Sequence, residues 1–277
     1  MHLTIDLINQ YITYLHEEER SRATIEKYAS DLHALAAYLG ERELDKSALI
    51  DWKQTLTAHY APASVNSKLA AANGFVSFLG HKDWTVKPLR LQKALFLKEE
   101  KELTREEYTR LVAAAKQRSN ERLALVIQTI CATGIRVSEL QFITVEAVRS
   151  GRADISNKGK RRTVFLPGKL RTLLLKYVRR QKKTAGAVFT TRTGKPLDRS
   201  NIWRDMKALC ESADVDPQKV FPHNLRHLFA RTFYSLERDL GRLADILGHS
   251  NINTTRIYTA ESGAVHARQV ERVGLVI

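Results

Sequence analysis

The sequence predicts a mainly α-helical chain in two domains, with a single small β element in the second. Three observations predict this. Apolar residues recur at three- and four-residue spacing through most of residues 1–80. The same spacing returns between Leu225 and Leu236. Val164 and Leu166 alternate with Thr163 and Phe165, as in a half-buried strand. A length of 277 residues suits one large or two medium domains.

The first domain, residues 1–81, is helical. Ser21 is placed to cap a helix in which Ile25, Tyr28, Leu32, Leu35, Ala36 and Leu39 share a face, and Gly40 stops it. A second helix runs from about Ser64 to Leu79, with Val65, Leu69, Ala72, Phe75, Val76 and Leu79 as its apolar stripe. Residues 82–101 hold Pro88, several lysines and little periodicity, and read as the interdomain linker. Leu103-Thr104-Arg105-Glu106-Glu107 resembles a capping box and opens the second domain, residues 102–277. There, Arg152 to Leu166 predicts a hairpin turning at Asn157-Lys158-Gly159. A helix over 169–183 is expected to bury Leu170, Leu173, Leu174 and Tyr177, and to display Lys176, Arg179, Arg180 and Lys183. Leu225, Leu228, Phe229, Thr232, Phe233 and Leu236 predict a further helix, started at Phe221-Pro222.

Composition narrows the function. A hydrophobic content of 43% supports packed cores, and six prolines without low-complexity tracts argue against extensive disorder. The sequence has no apolar run long enough for a membrane span, and Met1-His2-Leu3-Thr4-Ile5-Asp6 does not open like a signal peptide. A cytoplasmic location is expected. Cys131 and Cys210 belong to no C-x-x-C pair, which speaks against a disulfide framework or a cysteine zinc site. The net charge of +15 is uneven. Residues 1–90 hold ten Lys/Arg and eleven Asp/Glu, so the remainder carries 35 − 19 = +16. Such a field attracts polyanions, nucleic acid first among them.

Several residues then cluster by chemistry. His223, Arg226 and His227 stand at i, i+3 and i+4 on one helix face. Leu247-Gly248-His249-Ser250 follows, and then Thr254-Thr255-Arg256-Ile257-Tyr258-Thr259. Upstream lie Thr133-Gly134-Ile135-Arg136-Val137-Ser138-Glu139, in a turn opening an amphipathic helix, and Asn157-Lys158-Gly159-Lys160. Histidines four apart also suggest zinc. Asn224 stands where the metalloprotease pattern needs glutamate, and Arg226 between them would repel a divalent ion, so no metal site is expected. Guanidinium forks suit a phosphate, because a planar fork holds two of its oxygens.

The order arginine, lysine, histidine-x-x-arginine, histidine, tyrosine, from Arg136 to Tyr258, resembles the tyrosine recombinase family of phage integrases and Xer-like recombinases. Thr24, Tyr28, Asp31 and Leu32, with Ser64, Asn66, Lys68 and Phe78, are less specifically similar to that family's N-terminal core-binding (SAM-like) domain. The resemblance implies roles. Tyr258 attacks the scissile phosphate and forms a 3′-phosphotyrosyl link, releasing a 5′-hydroxyl. Arg136 and Arg226 hold the non-bridging oxygens. Lys158 protonates the leaving oxygen, chosen over Lys160, Arg161 and Arg162 because it precedes the glycine. His223 assists proton transfer at the nucleophile, and His249 hydrogen-bonds the phosphate. Glu139 and His227 are supporting. Lys160, Arg161, Arg162, Lys176, Arg179, Arg180 and Lys68 are candidate DNA contacts.

The covalent link stores the phosphodiester energy, so neither ATP, another cofactor nor a metal is implied. The implied partner is double-stranded DNA with paired recognition sites, bound by a homo-tetramer at a four-way junction. In the family the N-terminal domain forms half of a clamp on the duplex, which would require Arg20, Arg22, Lys27, Lys53 and Lys68 to share a face. The apolar tail Val273–Ile277 docks on a neighbouring protomer or on its own domain. Two other readings stay open: a topoisomerase-like nicking-closing enzyme, and a catalytically silent DNA-binding protein.

Overall fold

The computed structural model describes residues 1–91, 101–157, 160–258 and 271–272. The chain divides into two compact units, Met1–Ala94 and Leu95–Ile277.

The first unit is a helical bundle of α1 (Ile5–Glu17), α2 (Arg22–Leu39), α3 (Lys46–His59) and α4 (Pro62–Phe78). Each start has a local cause. The side chains of Thr4, Ser21 and Asp45 accept a backbone N–H of the first turn, and Pro62 pre-sets the start of α4. Leu32, Leu35, Leu49, Val65 and Phe75 form a fully buried core. The start of the expected linker is not loose. Asn73 on α4 donates to the Val86 carbonyl and accepts from the Val86 N–H, both at 2.9 Å. One heptad earlier, Asn66 does the same to Leu89 at 2.9 and 2.7 Å. Lys53 adds a bond to the Lys87 carbonyl at 2.7 Å. Several N-terminal cations already have partners: Lys27 and Lys68 converge on buried Asp31, Arg22 pairs with Glu26, and Lys53 is taken up by that backbone bond.

The second unit is built from α5 (Arg105–Gln117), α6 (Glu121–Thr133), α7 (Val145–Ser150), β1 (Arg152–Asn157), β2 (Lys160–Phe165), α8 (Gly168–Arg180), α9 (Arg199–Lys207), α10 (Cys210–Ala213), α11 (Pro222–Glu237) and α12 (Leu240–Leu247). Thr104 and Glu107 form the capping box of α5. α6 is the central helix, buried on most sides and packed by α5, α8 and α11. β1 and β2 pair antiparallel, with Ile155 opposite Arg162 and Ala153 opposite Val164. Period two therefore puts Arg162 on the buried face with Val164, while Arg161, Thr163 and Phe165 face outward.

Four details differ from expectation. α8 ends at Arg180, so Lys183 leaves the helix and bonds the Ala187 carbonyl and the Thr190 hydroxyl; Leu173 is 39% exposed. Leu236, on the last turn of α11, is 75% exposed because that turn runs past the packed cluster around Ala230, Leu243 and Leu247. The expected helix after Arg136 is a six-residue 3₁₀ helix, Val137–Phe142. The hairpin turn Lys158-Gly159 and the tail 273–277 lie outside the described residues.

Candidate active site

α6 ends where Gly134 takes a left-handed φ of 65°, which turns the chain sharply into Arg136. A side chain at 134 would also strike Phe229 of α11, since a Cβ there would lie 2.4 Å from its ring. The turn brings Arg136 beside Glu139, which is 1% exposed. Glu139 accepts from the Arg136 backbone N–H at 2.7 Å and from its guanidinium at 3.0 Å. Arg162 grips the same carboxylate with both prongs, at 2.9 and 2.8 Å. Burial would raise the Glu139 carboxyl, but the bonds from Arg162 and the Arg136 backbone hold it below the ordinary range. Arg136, 37% exposed at its side chain, is the solvent-facing end of this Arg–Glu–Arg chain.

A second set converges on the C-terminus of α12. Arg162 Nε donates to the Ile246 carbonyl at 3.1 Å, and Arg226 Nη2 donates to the Leu247 carbonyl at 2.8 Å. Two arginines from distant segments thus cap adjacent carbonyls at the negative end of that helix. Arg226 is 1% exposed and also donates to the Gly134 carbonyl at 2.6 Å. Burial, then the charge of Arg136, pushes its guanidinium down to about 10, which leaves it cationic at neutral pH. Gly248, at φ 66°, closes α12, and a Cβ there would come within 2.9 Å of Arg162.

His249 follows. Its Nε2 lies 2.9 Å from Arg226 Nη2 and its Nδ1 lies 2.9 Å from the Thr255 hydroxyl. Arginine only donates, so Nε2 accepts and Nδ1 carries the proton toward Thr255. Burial, then Arg226, Arg136 and Arg162, pushes this imidazole down to about 4. Tyr258 lies parallel to the His249 ring, with centroids 6.4 Å apart. It is 5% exposed, and burial raises its phenol against the pull of Arg226 and Arg136.

α11 supplies the remaining wall. His223, Arg226 and His227 lie along one side of it, and the His223 and His227 rings are 4.5 Å apart. Desolvation of its ring, then His227, Arg226 and Arg136, pushes His223 down to about 4. His227 meets Tyr258 edge-to-face at 5.1 Å and 89°. Behind it stands Glu102, whose carboxylate is 3.7 Å from His227 Nδ1 and 3.3 Å from Arg231 Nε.

The structure therefore brings Arg136, Glu139, Arg226, His227, His249 and Tyr258 together, with His223 beside them. It also adds members that the sequence reading gave no role or another one. Thr255 sits inside the tyrosine motif, and only its complete burial reveals it. Glu102 and Arg231 carry no local signal. Arg162, a candidate DNA contact, has its fork committed inside the domain. Other candidate contacts are elsewhere: Lys68 is salt-bridged to Asp31, and Arg180 is paired with Glu121, while Lys176, Arg179 and Arg161 are exposed. Lys158 lies outside the described residues, and of Lys160 only the strand position is described. Among the described residues no group of His, Cys, Asp and Glu could hold a metal ion, and no helix is long and apolar enough to cross a membrane.

Comparison with known proteins gives this geometry its family. Residues 101–264 match the phage integrase family, and residues 8–83 match the phage integrase N-terminal SAM-like domain. A tyrosine recombinase XerD of Xanthomonas campestris pv. campestris is 32% identical over 273 residues, covering 88% of this chain and 83% of that protein. Two solved structures share the fold. One is a XerH site-specific recombinase bound to difH substrate, with a TM-score of 0.73 and 19% identity, covering 100% of this chain and 85% of the other. The second is a lambda integrase tetramer bound to a Holliday junction, with a TM-score of 0.73 and 15% identity, covering 91% and 76%. The chain belongs to the phage integrase family of tyrosine recombinases.

Proposed function

We propose that the chain cuts and rejoins DNA at paired recognition sites through a covalent bond between Tyr258 and a DNA 3′-phosphate. The observation that carries this reading is the convergence of a buried phenol with the guanidiniums of Arg136 and Arg226 and the neutral imidazole of His249. A pentacoordinate phosphorane gains negative charge on its equatorial oxygens, and fixed guanidiniums are stabilising there. Arg136 and Arg226 take those oxygens, His249 hydrogen-bonds the phosphate, and His223 lies beside them to serve proton transfer. Lys158, from the hairpin turn, protonates the leaving 5′-oxygen. The tyrosyl ester keeps the phosphodiester energy for rejoining to a second 5′-hydroxyl. Exchange of two strands in turn passes through a four-way junction held by four copies of the chain. Residues 1–81 act as the core-binding domain and 102–277 as the catalytic domain. The relatives bound to DNA and to a Holliday junction support this partner and assembly.

The test starts with duplexes selected from a random-sequence library by binding to the full chain. A selected duplex nicked beside its cleavage point should trap a covalent adduct, and Tyr258→Phe should abolish it. Two such duplexes should yield recombinant joints. Supercoil relaxation without joints would point to a nicking-closing enzyme, and specific binding without an adduct to a silent binding protein.

A further inference from the structure

A hydroxyl taken out of water is costly unless it is hydrogen-bonded, and a valine of the same shape would be buried more cheaply. Thr255 is 0% exposed. Its hydroxyl lies 2.9 Å from His249 Nδ1. On the far side of that ring, Nε2 takes a hydrogen bond from Arg226 Nη2 at 2.9 Å. Arg226 in turn hydrogen-bonds the Tyr258 phenol. The Thr255 carbonyl accepts from the Tyr258 backbone N–H at 3.0 Å, and the Thr255 N–H donates to the Ile252 carbonyl at 2.8 Å. These bonds close a ring: phenol to Arg226, Arg226 to His249, His249 to Thr255, and Thr255 back to the backbone of Tyr258. Arg226 is otherwise anchored on the Gly134 and Leu247 carbonyls, which belong to the backbone and cannot turn away. An imidazole can turn, unless its second nitrogen is also held. Arg226 only donates, so Nε2 accepts, Nδ1 carries the proton, and the Thr255 hydroxyl receives it. What one ring nitrogen meets decides the state of the other, and a buried acceptor fixes the tilt of the ring as well.

We propose that Thr255 is a positioning residue for DNA cleavage. It acts through His249. Its hydroxyl fixes the imidazole that orients Arg226, and its backbone holds that imidazole in register with the turn carrying Tyr258. The inference rests on the proposed cleavage reaction and adds a residue to it. Held by Nδ1, the unturned ring can also donate to a phosphate once Nε2 takes a proton from solvent beside that charge. Thr255 itself touches no reacting atom in this role.

Single-turnover cleavage of the selected nicked duplex tests the assignment. Thr255→Val keeps the shape and loses the hydroxyl. It should slow adduct formation roughly three- to tenfold, the worth of one hydrogen bond, with duplex affinity unchanged. Thr255→Ser should restore most of the rate. In a His249→Ala background, Thr255→Val should cost nothing further, because the group it acts through is gone. Thermal melting checks each variant, and Thr255→Ala replaces the valine variant if that one fails to fold. A folded Thr255→Val that cleaves at the unaltered rate would overturn the proposal. So would a serine variant as slow as the valine one, or losses that multiply when both residues are changed. A measurement without DNA separates such failure from failure of the enzyme reading. Long-range ¹H–¹⁵N spectra of the full chain, with His249 assigned by His249→Asn, should show Nδ1 protonated and Nε2 bare at about pH 7. The Nδ1 proton should be protected from exchange, also in Thr255→Ser, and should lose that protection in Thr255→Val. An Nδ1 without a proton, or protection that survives the valine, would sink the assignment whether or not any duplex is cleaved.

Discussion

At the scale of the residue, Glu139 and Arg226 show how burial turns a side chain into an obligation. Glu139 has one guanidinium on each side and almost no solvent, so removing either partner leaves a charge with too little compensation. Arg162→Ala is expected to destabilise the fold by about 3–5 kcal/mol in denaturant titration, and Glu139→Ala comparably. Arg162→Lys should recover little, because an ammonium cannot replace a two-pronged grip. Arg226→Ala should lower adduct formation by roughly 10²–10³, since it removes a fixed donor at the charge that develops. His249 sets a pH dependence. Its folded imidazole titrates at about 4 against an ordinary 6.5. Below pH 6.5 the unfolded chain takes up a proton that the folded one refuses, so stability falls as pH drops from 6.5 toward 4. Melting curves at several pH values should show this fall; His249→Asn should reduce it, and the remainder should come from His223, which is pushed down in the same way.

At the scale of the element, what could be read in advance depended on whether a segment shows solvent one clean face. α2 does, and so does α11 up to its last turn, and their stripes and punctuating residues are plain in the sequence. α6 does not: Leu123 to Ile127 are buried consecutively, so no stripe exists to read. β2 held more than was taken from it. Arg162 is in phase with Val164 and Leu166, and that parity alone puts it inward. Glu102 was beyond reach, because only the fold brings it to His227 and no periodicity spans that separation. Thr255 and Tyr258 share a motif, yet the hydroxyl's bond to His249 depends on how the chain turns after α12. α4 offers an element-scale prediction. Asn73→Ala removes both partners of the Val86 backbone, which should cost about 1–3 kcal/mol. Amide exchange at Val86 should quicken, while exchange at Leu89, clamped by Asn66, responds less.

At the scale of the whole molecule, charge is divided as unequally as chemistry. The first ninety residues are almost neutral, and several of their cations are already paired or bonded to backbone. The salt dependence of DNA affinity should therefore reside chiefly in the rest of the chain. Replacing exposed Lys176 and Arg179 together by alanine should reduce the slope of log K against log salt by about two. Lys68→Ala should change it less, since that ammonium is already shared with Asp31. Stability should barely move in the Lys176/Arg179 variant, as expected for exposed side chains. The glycine that ends α12 has a wider consequence. Its missing methyl makes room for the arginine of β2, so the hairpin packs closely on the turn that leads from α12 toward Tyr258. A descendant that let position 248 grow bulkier would have to shrink position 162, and with it slacken the hold on Glu139. The two codons, far apart in the gene, should be inherited as a matched pair.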